Sequence, residues 1–180
     1  MAKINTERMT AKIDGDFVVF LIGFRINRWW KFWRWIPIFF TMPKMLIELQ
    51  KHPELGLLHA RTHFGFGKAM VVQYWRSFEA LHAYSTASER AHLPAWKKFN
   101  KAIGTRGDVG IWHETYLIQD GQHESVFGNM PPYGLGIAGE LIPAKGQQRS
   151  ARGRLKRADG QDQPIMDDGD DATKIQETQA

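Results

Sequence analysis

Apolar residues fall on both parities of residues 16–25, DFVVFLIGFR. Phe17, Val19 and Leu21 take one side, and Val18, Phe20 and Ile22 the other. A strand that is apolar on both faces needs cover on both. Gly15 and the polar pair Asn27/Arg28 bound it. Residues 28–37, RWWKFWRWIP, read as an irregular aromatic–basic segment. Met42, Met45, Leu46 and Leu49 then recur at helical spacing, which predicts a helix over 38–51. Pro43 suits its first turn, where a missing N–H does no harm.

Pro53 and Gly56 mark a stop. Strands are predicted at 57–64 and 68–76. Gly65-Phe66-Gly67 between them is hairpin chemistry, because glycine tolerates positive φ. Ser77 is a good N-cap for a helix over 78–86. A further helix over 89–103 follows from Leu93, Trp96, Phe99 and Ile103. The last strand is 109–118, VGIWHETYLI. The order β-α-β-β-α-α-β contains the split β-α-β-β-α-β unit, so the fold class is α+β and ferredoxin-like, with an antiparallel sheet and helices on one face. The second apolar face predicts a homodimer, in a dimeric α/β barrel.

An extended piece over 122–128 and a Pro/Gly-rich flap, NMPPYGLGIAGELIPAKG, come next. From Lys145 the chain has no aromatic residue. Its seven Lys and Arg balance seven Asp and Glu there. Such a segment buries too little apolar area to offset its ordering entropy. The predicted organisation is one domain over 1–143 and a disordered tail over 144–180.

Composition narrows the chemistry. With no cysteine, disulfides, thiolate metal sites and thiol nucleophiles are excluded. No secretory signal and no run long enough to span a bilayer are visible, which suggests a cytoplasmic protein. The net charge of +5 resides before the tail. Arg25, Arg28, Lys31 and Arg34 crowd together with no acid among them and read as a solvated basic patch. No nucleic-acid reading module accompanies them.

Most motifs fail on context. Gly134-Leu-Gly136-Ile-Ala-Gly139 matches a dinucleotide fingerprint as a string but follows prolines, not a strand. His59 and His63 lie about 13 Å apart on an extended strand and cannot share a metal. What remains is a set of polar and aromatic side chains on elements expected to be buried. His59, Arg61 and His63 share one parity. His113 and Thr115 stand opposite Trp112, Glu114 and Tyr116. A lone buried histidine is usually structural. Several ionisable groups together are costly to bury unless they pair or line a wet cavity.

IWHETY (111–116), Glu124 and NMPPYGLG (129–136), with HLPAWKKFN (92–100) and YWRSFEALHAY (74–84), resemble the small proteins related to the fumagillin-pathway monooxygenase. These are similar to the antibiotic-biosynthesis-monooxygenase type of dimeric α/β barrel. Phe127 stands where a Tyr is expected. The resemblance implies a monooxygenase acting on an electron-rich small molecule with no cofactor. Such chemistry needs a base, a dry pocket and a hydrogen-bond donor. His113 or His92 is the candidate base, with Tyr116 as a catalytic hydrogen-bond donor. Trp75, Trp96, Trp112 and Asn129 are candidate substrate-binding residues, in a pocket between sheet and helices closed by 129–135. No metal is expected. Related barrels suggest an alternative, a haem-binding dehydratase-like enzyme with His92 as ligand. A non-enzymatic alternative is a ligand-binding dimer, or a dimer lying on a membrane through Trp29, Trp30 and Trp33.

Overall fold

A computed structural model describes residues 3–87 and 106–155, apart from the side chains of residues 38–42 and 44. The predicted helix over 89–103 and the chain beyond Leu155 lie outside the described residues. The chain divides into two compact units, Phe17–Leu117 and the two flanks, Met1–Asp16 with Ile118–Ala180.

The central unit carries β2 (Phe17–Ile26), α1 (Phe32–Lys51), β3 (Leu57–Gly65), β4 (Lys68–Trp75), α2 (Phe78–Thr86) and β5 (Val109–Ile118). Its sheet has the order β3-β4-β2-β5. β4 pairs antiparallel with both β2 and β3. This is the strand order of the ferredoxin-like unit, and the predicted fold class holds. The hairpin turn falls at the glycines that predict it, with Gly67 at φ 68°.

Register sorts the side chains into two faces. Val18 and Leu57 stand opposite Trp75, and Phe20 and Ala60 opposite Gln73. This is the helix face, where Val18 and Trp75 pack with Leu49 of α1 and Leu81 and Tyr84 of α2. The Trp75 indole N–H donates to Gln73 Oε1 at 2.8 Å, so neither polar group is orphaned by burial. Alternate positions, Val19, Leu21, Val72 and Tyr74, form the far face and are only half-buried. Ser77 caps α2 as expected, accepting from the Ala80 N–H.

α1 begins six residues earlier than predicted. Pro37 and Pro43 both lie inside it, so the carbonyls of Trp33 and Phe39 lack an i+4 donor. Its start is held from a distance. Asp108 Oδ1 accepts from Arg28 Nη1 at 3.0 Å and Lys31 Nζ at 2.9 Å. The basic patch therefore has an acid, 77 and 80 residues away in sequence.

In the flanking unit β1 (Met9–Lys12) pairs antiparallel with β6 (Glu140–Pro143). Single bridges join Asn5 to Met130 and Met9 to Phe127. The fingerprint-like glycines serve packing here. A Cβ on Gly136 would meet Leu141 and Phe127, and one on Gly139 would meet the Lys12 carbonyl. The helix between them, Leu135–Ala138, has four residues, too short for a dinucleotide motif. Helical turns continue beyond Lys145, at Gly146–Arg149 and Ala151–Arg154. Buried Arg154 pairs with Glu124 and caps the carbonyls of Gln148 and Arg149 at 2.8 Å. The packed chain therefore runs past the boundary drawn at residue 143.

Candidate functional site

β5 separates the residues proposed from sequence. Trp112 lies over Gly23, where an added Cβ would meet the indole at 2.8 Å. Gly23 stands opposite Met70, on the far face. His113 instead packs its ring against Phe20 at 5.7 Å. Phe20 belongs to the helix-face core, so His113 faces the helices. Strand alternation sends Glu114 and Tyr116 to the far face with Trp112. His113 and Tyr116 therefore do not share a pocket. Trp75 is 1% exposed and sits in the core, where it holds the fold rather than lining an accessible site. Asn129 belongs to the flanking unit, in a left-handed turn at φ 53° that asparagine tolerates. His92 and Trp96 lie outside the described residues.

The far face gathers a different set. Tyr116 donates its hydroxyl to Glu114 Oε2 at 2.5 Å. That hydrogen bond and the carboxylate charge raise the phenol pKa above its ordinary value, so the phenol stays protonated. On β3, His59 stands opposite Tyr74, and the rings stack at 6.5 Å and 18°. Burial lowers the imidazole pKa, and the Arg61 charge lowers it further. His59 Nε2 is buried and has no hydrogen-bond partner among the described residues. Arg61 and His63 follow on the same face, opposite Val72 and Met70. The floor between β3 and β5 is apolar, made of Val19, Leu21, Met70 and Val72.

The result is an apolar strip with a basic edge and an aromatic–acidic edge. A neutral imidazole accepts a proton, a guanidinium beside it stabilises an anion, and a protonated phenol donates a hydrogen bond. No group of three or more His, Asp or Glu among the described residues is arranged to hold a metal ion. The haem ligand named by the alternative, His92, is not among the described residues.

Fold and site together define a ferredoxin-like α+β protein with a polar-edged sheet face. The chain belongs to the Monooxygenase af470-like family, whose model matches residues 17–135. The resemblance seen in WHETY and NMPPYGLG is thereby borne out. Monooxygenase af470 of Aspergillus fumigatus is 33% identical over 93 residues, which cover 49% of this chain and 32% of that protein. The matched part is thus about a third of the relative's length. Among solved structures, an aldoxime dehydratase in complex with butyraldoxime aligns with a TM-score of 0.59 at 14% identity, covering 71% of this chain and 38% of that one. A second aldoxime dehydratase aligns at 0.53 and 16% identity, covering 72% of this chain and 43% of that one. These two likenesses establish the fold alone.

Proposed function

We propose that this chain is a cofactor-independent monooxygenase that oxidises the enol form of an activated methylene in a small, electron-rich molecule. His59 takes the substrate proton, and the resulting enolate reduces dioxygen. One oxygen atom stays on the carbon as a carbonyl. The other leaves as water with the two hydrogens the carbon has lost, so the substrate supplies every electron. Arg61, on the same face of β3, holds the enolate as it forms.

The observation that carries this reading is His59, a half-buried imidazole with a lowered pKa and an Nε2 that has no hydrogen-bond partner among the described residues. Family membership supports the oxygenase class. Water must also be excluded from the anion. A second copy of the chain laid sheet to sheet over Val19, Leu21 and Val72 supplies that cover, and the ionisable side chains then line a closed cavity.

The test is oxygen uptake with a panel of anthrones and naphthols, using protein purified from cells supplied with haem. The expected result is one dioxygen consumed per carbonyl formed, with no Soret band. A Soret band that tracks activity contradicts the cofactor-independent reading. Ligand binding with no oxygen uptake across the panel contradicts the enzyme reading.

A further inference from the structure

Where α1 begins, the β3–β4 hairpin ends. The Trp29 ring lies 2.5 Å from a Cβ built on Gly67 and packs against the Phe66 ring, tilted by 32° at 5.0 Å. Trp35 Nε1 donates to the Trp29 carbonyl, and the two rings meet edge to face. Trp29 therefore ties the helix start to the hairpin tip, in a patch within the central unit. Around it project Phe66, 93% exposed, Phe64, 74%, Trp30, 68%, and Trp33, 57%. Phe32 and Ile36 continue the apolar surface along the first turns of α1. Contiguous exposed aromatics of this kind mark an interaction surface.

The charge around the patch has one sign. Arg25 and Lys68 are cross-strand neighbours at the hairpin end, both exposed. Arg28, Lys31 and Arg34 flank the tryptophans, and buried Asp108 offsets one of these charges. The acids of α1 and its sequel, Glu48 in its last turn and Glu54 just past its end, lie more than ~15 Å along the helix axis from the tryptophans. No helix among the described residues is long and apolar enough to cross a membrane. A second copy is a poor match, because cations would meet cations. Tryptophan and phenylalanine ringed by Lys and Arg suit the headgroup layer of an anionic bilayer.

We propose that the hairpin tip and the start of α1 dock the protein on an anionic lipid surface. Trp30, Trp33 and Phe66 enter the interface while Arg25, Arg34 and Lys68 contact the headgroups.

The experiment is co-sedimentation of the full chain with phosphatidylcholine vesicles, with and without about one-third phosphatidylserine. Binding is expected to the anionic vesicles only, weakening at high salt as surface electrostatics are screened. The variant Trp30→Ala/Trp33→Ala should bind at least tenfold more weakly at an unchanged melting temperature. Arg25→Glu/Lys68→Glu, which leaves the aromatics intact, should also lose binding. Equal sedimentation with and without phosphatidylserine overturns the proposal, as does undiminished binding by both variants. Loss of dimer in light scattering on Trp30→Ala/Trp33→Ala overturns it in favour of a second copy on the patch.

Discussion

Asp108 receives the two cations that precede α1 while its own side chain is 2% exposed. The hydrogen bond from Lys31 and then that from Arg28 hold its carboxyl below the usual carboxylate range, against the opposing effect of burial. A carboxyl lowered in the folded state contributes stability above its unfolded value, near ~3.9, and loses it as pH falls through the folded value. Asp108→Asn should therefore lower the melting temperature at pH 7 by roughly a few degrees. The gap from the parent protein should narrow below about pH 4. A gap that stays constant down to pH 2 would show that the ion pairs contribute nothing. Single residues are legible in proportion to how local their role is. Ser77 caps where its type and position suggest. The opposition of His113 to Tyr116 follows from a period of two. His59 is visible as one of three polar residues on a parity, but its role depends on Tyr74 across the hairpin and on burial. Trp75 reads as a binding aromatic because residue type alone does not separate a core indole from an exposed one.

Elements follow the hydrophobic period closely in the central unit. β2, β3, β4, α2 and β5 lie within about a residue of their expected ends. α1 is the exception. Trp29, Phe32, Trp33 and Ile36 do recur at helical spacing, but Pro37 and Pro43 inside one continuous helix argue against it. Asp108 and the Trp29–Trp35 contacts override that local preference. β1 and β6 leave no mark in the sequence for a similar reason. Each has four residues, and their pairing joins positions about 130 apart along the chain. Such a short strand carries almost no pattern of its own.

Across the molecule, the far face of the sheet is the surface most in need of cover. Val19, Leu21, Met70 and Val72 are half-buried, and Trp112 and Tyr116 are exposed beside them. That much apolar area on a sheet face is unfavourable in water. The proposed homodimer predicts a dimer mass in light scattering at micromolar concentration, and Leu21→Lys/Val72→Lys should give a folded monomer. A parent protein that is monomeric there would contradict the sheet-to-sheet arrangement.

The proposed chemistry occurs on this far face, with His59 as base. Oxygen uptake by His59→Ala and His113→Ala, run side by side with the parent protein's best anthrone, separates this face from the other. Loss of a general base predicts a fall of roughly 10²–10⁴-fold for His59→Ala at an unchanged melting temperature, and near-parent turnover for His113→Ala. The parent's kcat/KM should fall on the acid side only below about pH 6.5, because the imidazole pKa is lowered. If His113→Ala abolishes turnover while His59→Ala retains it, the active site lies on the helix face and the assignment of His59 as base is wrong.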